Sequence, residues 1–226
     1  MAARLSGAAV LFDLDGTLVD TADDLAASMN HALAGSGLAP VPAGEVRNLV
    51  GRGARRMLMR GYEVSAGREA DEKELDAALA RFLTHYQANI AVASRPFGGV
   101  IEMIEELRAE GMRIAICTNK REAMARLLIE TLGIAPLFDT IVGADTAAAP
   151  KPDAAPVLMC MTRISAERGV FIGDSDTDIK AALAARMPCL IADFGYGPLT
   201  LAHLASAVFS DYAATAELVR VALDLR

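Results

Sequence analysis

The stretch "AVLFDLDGTLVD" (residues 9–20) runs from a purely apolar segment straight into two carboxylates two residues apart. Val10, Leu11 and Phe12 read as a short buried strand, with Asp13 and Asp15 at its carboxyl end and Gly16 and Thr17 just beyond. Carboxylates are costly to desolvate, so a core strand that ends in a pair of them calls for a compensating charge nearby.

The second half of the chain repeats the theme. "RIAICTN" (113–119), "TIVGAD" (140–145), "GVFIGDS" (169–175) and "MPCLIAD" (187–193) read as short buried strands that end in polar residues. Helix-like stretches lie between them at about 99–110, 121–132, 153–163 and 176–186, with Gly111 and Gly133 placed as helix C-caps. Strand and helix in alternation imply an α/β fold, a doubly wound parallel sheet covered by helices on both faces.

Residues 21–93 are different. They show only helical periodicity: Leu25, Met29 and Leu33 recur every four residues, then Leu75, Leu79, Phe82 and Leu83. This predicts an α/β core domain from 1–20 and 94–226, with a small helical cap domain of 21–93 inserted after the first strand. The hinges are expected near 19–21 and at "SRPFGG" (94–99). That arrangement suits a lid.

At 226 residues the chain can hold one ample core plus a small accessory unit. It is 53% hydrophobic, yet no apolar run approaches the roughly 18 residues expected of a membrane helix. "MAARLSGAAV" is too short in apolar residues for a secretory signal, and an odd set of three cysteines among apolar neighbours fits a reducing compartment. A cytoplasmic protein without a membrane partner is expected. The net charge of −7 argues against nucleic acid as a partner and implies that an anionic substrate needs a local cationic feature. Arg47, Arg52, Arg55, Arg56 and Arg60, with no acid between them, are the candidate; Arg52, Arg56 and Arg60 also have the spacing of a solvated helix face.

In open parallel sheets ligands bind beyond the carboxyl ends of the strands. Four segments converge there: Asp13 with Asp15; Thr118 with Asn119; Lys151 in "APKPD"; Asp174 and Asp178 in "GDSDTD". Two carboxylates about 4 Å apart repel by roughly 4 kcal/mol at an effective dielectric near 20, and Asp174 adds to that. Such a cluster needs a divalent cation or a shared proton. Oxygen ligands without His or Cys suit a hard ion such as Mg²⁺, which takes one or two carboxylates, waters and a substrate phosphate. Lys151 supplies a fixed positive charge, and Thr118 with the backbone N–H groups after it can donate to phosphoryl oxygens.

In order and spacing, "DLDGTLVD", "CTN", "KP" and "GDSDTD" resemble the four motifs of the haloacid dehalogenase superfamily of phosphohydrolases, across nearly the whole chain. The resemblance implies Asp13 as the nucleophile that forms an aspartyl-phosphate and Asp15 as the general acid, then base. It implies Mg²⁺ held by Asp13, the Asp15 carbonyl oxygen and Asp174, with Asp178 orienting Lys151 and a metal-bound water. Members that act on carbon–halogen bonds have no Asp two residues after the nucleophile, so Asp15 implies phosphoryl transfer. No cap lysine suited to Schiff-base chemistry is evident; Lys73 lies in the charged run "READEKE".

"VGRG" (50–53), residues 97–120 and "FGYGPL" (194–199) look most like phosphoglycolate phosphatases, although Thr177 replaces the commoner Asn and "KPDAAP" departs from the usual proline pattern. The implied activity is a Mg²⁺-dependent phosphatase acting on a small phosphorylated metabolite, 2-phosphoglycolate first. Alternatives are a sugar-phosphate mutase, a pyrophosphatase or nucleotidase, or a non-catalytic phosphate-binding regulator. Gly51 and Arg52 are candidates for the non-phosphate end of the substrate. Tyr196 reads as a loop aromatic, and Met57 and Met59 as core filler. Monomer and homodimer are both compatible with the sequence.

Overall fold

A computed structural model describes residues 6–47, 49–51, 53–197 and 199–224. Its centre is β1 (Ala9–Phe12), all four residues of which are buried. The pleat sends Val10 and Phe12 into one apolar cluster and Ala9 and Leu11 into another, so the strand is covered on both faces. Hydrogen-bonded to it are β4 (Arg113–Cys117) on one side and β6 (Gly169–Gly173) on the other. With β5 (Thr140–Val142), β7 (Cys189–Ala192) and β8 (Ala207–Phe209) they form a six-stranded sheet in the order β5-β4-β1-β6-β7-β8, parallel throughout.

Helices α5 (Val100–Ala109), α6 (Glu122–Thr131) and α9 (Thr215–Asp224) bury their apolar stripes in the cluster of Val10 and Phe12. Helices α7 (Ala155–Arg163) and α8 (Asp176–Ala184) cover the opposite face, with Val157, Cys160 and Ile179 packed under Leu11. The doubly wound α/β fold expected from the alternation is the one observed. Gly111 and Gly133 follow α5 and α6 with φ of +85° and +74°, the left-handed residues that close a helix. Strands are shorter than the expected stretches: β4 and β6 stop where the polar residues begin, β5 stops before Gly143, and β7 starts only after Pro188. The elements that lie beyond anything read from the sequence include β8 and α9.

Between residues 21 and 93 the described residues form four helices: α1 (Ala22–Ala34), α2 (Ala43–Arg47), α3 (Ala54–Ala66) and α4 (Glu72–Ala88). Leu25, Met29, Leu33, Leu75 and Phe82 are buried, and their apolar cluster is continuous with the one under β1. Met57 belongs to it, whereas Met59 is 43% exposed and fills no core. An Asp71/Glu74 capping box starts α4, each side chain accepting from the other residue's backbone N–H. The segments entering and leaving this insert lie side by side, as β2 (Val19–Asp20) and β3 (Arg95–Pro96) pair antiparallel. Asp24, buried in the first turn of α1, accepts from the backbone N–H of Ala93 and Ser94 and from Ser94 Oγ. One carboxylate thus straps both crossings together. Among the described residues no helix is long and apolar enough to cross a membrane.

Candidate active site

Sheet register brings the acids to one level. Phe12 is opposite both Ile116 and Ile172, so Asp13 leaves β1 beside Cys117 and Gly173, and Thr118 and Asp174 are the next residues along the flanking strands. The sheet winds outward in both directions from β1, the switch point where a parallel sheet opens a crevice at its carboxyl edge. Asp13, Asp15, Thr118, Lys151, Asp174 and Asp178 are all buried there.

Asp13 Oδ1 accepts from the Leu14 backbone N–H at 2.7 Å and lies 2.9 Å from Lys151 Nζ. Lys151 donates at 2.6 Å to Asp178 Oδ1, and Asp178 Oδ2 accepts from Ser175 Oγ at 2.6 Å. Asp174 accepts from Thr17 Oγ1 and from the Tyr196 backbone N–H, both at 2.9 Å. Gly16 makes this closeness possible. It has φ +83°, and a Cβ there would sit 2.5 Å from Asp174 Oδ2.

Carboxylate oxygens of Asp13, Asp174 and Asp178 lie within 4.8 Å of one another. With all three carboxylates ionised, the single Lys151 ammonium leaves two negative charges, the charge of one divalent cation, and without such an ion protons must share the site. Their all-oxygen donor set fits a hard ion. Burial pushes the Asp13 carboxyl up to about 7, with Lys151 opposing the rise and Asp178 and Asp15 adding to it. Asp174 is raised well above its ordinary value by burial, then by Asp178 and Asp13. Burial alone would favour a neutral Lys151, but Asp13 and Asp178 overcome it and keep the ammonium.

The Asp15 carboxylate is turned away from that cluster. Both its oxygens accept from Lys120 Nζ, at 2.7 and 2.9 Å, and Oδ1 also accepts from Thr21 Oγ1 at 2.7 Å. Lys120 was absent from the sequence candidates. Its position directly after "CTN", at the end of a buried strand, is the signal that could have found it. Thr118 Oγ1 accepts from the Lys120 backbone N–H, and the Thr118 N–H is held by Val142 O in the sheet. Those two amides are therefore committed within the protein, and of the expected phosphate donors on Thr118 it is the hydroxyl proton that remains. Asn119 Nδ2 donates to Lys151 O at 3.1 Å and reaches Gly51 O at 3.5 Å, while its buried Oδ1 has no hydrogen-bond partner among the described residues.

The arginine cluster is divided: three of its members pair with acids, while Arg55 and Arg56 line the cavity that holds Asp13 and Asp15. Arg47 pairs with Asp20, Arg55 with Asp76 and Glu72, and Arg60 with Glu63. Helix α3 begins only at Ala54, so the repeat read from residue 52 is not one helix face. Arg52 itself lies outside the described residues. Tyr196 is no ordinary loop aromatic either: it is buried, donates to Asp20 Oδ1, and its hydroxyl oxygen accepts from the backbone N–H of Thr21 and Ala22. It links the Asp174 wall to the start of the insert.

A cavity of about 400 Å³ opens over these groups. Asp13, Asp15, Thr118 and Lys120 form its sheet side, and Leu79, Phe82 and Tyr86 of α4 face them from the insert.

A family model described as haloacid dehalogenase-like hydrolase matches residues 10–192. The chain is 41% identical over 217 residues to a phosphoglycolate phosphatase of Agrobacterium fabrum, covering 95% of this chain and 93% of that one. It is 45% identical over 189 residues to a phosphoglycolate phosphatase of Mesorhizobium japonicum, covering 83% of each. Among solved structures, a predicted phosphoglycolate phosphatase from Haemophilus somnus superposes with a TM-score of 0.86 at 28% identity, over 95% of this chain and 98% of that one.

Proposed function

The chain belongs to the haloacid dehalogenase-like hydrolase family, and on that premise we propose that it is a Mg²⁺-dependent phosphatase that hydrolyses 2-phosphoglycolate through an aspartyl-phosphate on Asp13. The observation that carries this reading is the uncompensated pair of negative charges in the buried Asp13–Asp174–Asp178–Lys151 cluster, beside a separately held Asp15. Relatives named phosphoglycolate phosphatase at 41% and 45% identity support the substrate.

Asp13, the Asp15 carbonyl oxygen and Asp174 would hold Mg²⁺, which when bound neutralises the cluster and lets a phosphate dianion approach a carboxylate. Asp13 then attacks phosphorus, and the P–O bond to the leaving alcohol breaks as Asp15 gives its proton to that oxygen. Asp15 next takes a proton from water, whose oxygen attacks the phosphoryl group and frees Asp13. Lys151 holds charge on the phosphoryl oxygens, the Thr118 hydroxyl donates to one of them, and Asp178 keeps Lys151 aimed. Asn119 and Gly51 brace the insert against the Lys151 loop. In this reading residues 21–93 are a cap that closes over the small substrate and excludes bulk water. Three buried free cysteines fit a cytoplasmic location.

The test is phosphate release with Mg²⁺ from 2-phosphoglycolate, pyrophosphate, nucleotides and hexose phosphates, scoring hexose isomers as well. The expected result is the highest kcat/KM for 2-phosphoglycolate, no turnover by Asp13→Asn, and a phosphoenzyme labelled at Asp13. A variant with wild-type turnover refutes the nucleophile; isomer product without phosphate release makes the protein a mutase.

A further inference from the structure

Tyr86 is a cap-side residue that the chemistry above does not use. It lies near the end of α4, in phase with Phe82, and from the sequence is indistinguishable from a core aromatic. Its ring is buried, 4.8 Å from the Lys120 ammonium, and its buried hydroxyl completes no hydrogen bond among the described residues. Phenylalanine would fill the same space without leaving a polar atom unpaired, and an unpaired buried hydroxyl costs stability.

Tyr86 lines the cavity that holds Asp13 and Asp15, so a ligand seated there can supply the missing partner. What kind of ligand follows from the neighbours. The Lys120 ammonium has three donors; two make hydrogen bonds, both to Asp15, and the Tyr86 hydroxyl is near enough to help keep the ammonium charged without completing a third. A spare ammonium donor and an unpartnered O–H on adjoining side chains recognise an acceptor, and beside a cation the acceptor of choice is an anion. The rest of the α4 wall, Leu79, Phe82 and Leu83, is apolar and offers nothing to a polyhydroxylated group.

We propose that Tyr86 and Lys120 form a subsite for a carboxylate on the leaving alcohol, selecting phosphoesters of short hydroxy acids over those of neutral alcohols and sugars. This rests on the phosphatase reading and specifies it. Asp15 must reach the leaving oxygen, and Lys120 touches Asp15, so a carboxylate one carbon from that oxygen falls beside the ammonium. Binding it also draws Lys120 off the Asp15 oxygens, freeing them for the leaving group only when an acid is present.

The experiment compares 2-phosphoglycolate with 2-hydroxyethyl phosphate, which exchanges the carboxylate for an alcohol on the same skeleton. Tyr86→Phe, expected to melt at or above the wild-type temperature because it removes an unpaired hydroxyl, should lower kcat/KM for 2-phosphoglycolate at least tenfold more than for 2-hydroxyethyl phosphate. The loss should lie mainly in KM. Lys120→Gln should shift the ratio of the two kcat/KM values in the same direction. If the wild type hydrolyses 2-phosphoglycolate and both variants lose activity equally on the two esters, the subsite is wrong and the phosphatase reading stands. If the wild type acts on hexose phosphates or pyrophosphate but not on 2-phosphoglycolate, the proposed substrate fails and the subsite fails with it.

Discussion

Replacing Lys151 with methionine removes the ammonium between Asp13 and Asp178 while keeping the length of the side chain. At an effective dielectric near 20, a charge 2.9 Å from one carboxylate and 2.6 Å from another attracts each by about 6 kcal/mol. Most of that is offset by the desolvation of all three groups, and removing one partner from a buried ion pair costs about 3–5 kcal/mol. We expect a loss of about 4 kcal/mol near pH 7.5 without metal, equivalent to roughly 8–16 °C in Tm for a chain of this size. The pH dependence has a definite sign. A carboxyl raised from 3.8 to about 7 binds its proton more tightly folded than unfolded, so the stability it contributes is full below 3.8 and is lost as pH rises to about 7. Lys151 opposes that rise, so its removal extends the window upward and the deficit grows with pH. Urea titrations followed by far-UV circular dichroism at about pH 5.5 and about pH 8 measure it. A deficit under about 1 kcal/mol at the higher pH, or one independent of pH, refutes the charge argument on which the site rests.

Two further outcomes follow from the same geometry. Mg²⁺ at about a hundred times its Kd should stabilise the wild type by about 2.7 kcal/mol, with a chelator reversing the rise in Tm and Asp174→Asn abolishing it; an unshifted Tm would remove the metal from the proposal. Asp24→Ala leaves the N–H groups of Ala93 and Ser94 without their acceptor and should cost about 3 kcal/mol, Asp24→Asn about half that, with faster amide exchange at 93 and 94. Unchanged exchange at both amides would show that this carboxylate does not hold the two crossings together.

How much of this was legible in advance depended on the range of the interaction. The alternation of apolar strands with helical stretches is a local pattern, and the observed sheet follows it in β1 and in β4 through β7. Of the elements that were missed, β8 has three residues, too few for a period to stand out, whereas α9 is as long as α5 and its Ala216, Val219, Ala222 and Leu223 have helical spacing, so it was legible. The arginine run is divided by packing, which leaves Arg55 and Arg56 at the cavity. Five cations without an intervening acid look like an anion site along the chain, yet Asp20, Glu72 and Asp76 from other elements meet Arg47 and Arg55 in space.

Residue types at strand ends were enough to name the carboxylates and the lysine, because an acid after a buried strand is anomalous wherever it sits. Which charge faces which was decided by the tertiary structure. Asp13 shares Lys151 with Asp178, Asp15 turns to Lys120, and Tyr86 and Tyr196 bring polar atoms to the site from segments that read as plain core and plain loop. The physical reason is that desolvation acts on each residue alone and leaves its mark in the sequence, whereas Coulomb and hydrogen-bond energies depend on distances that only the packed sheet and its helical insert set.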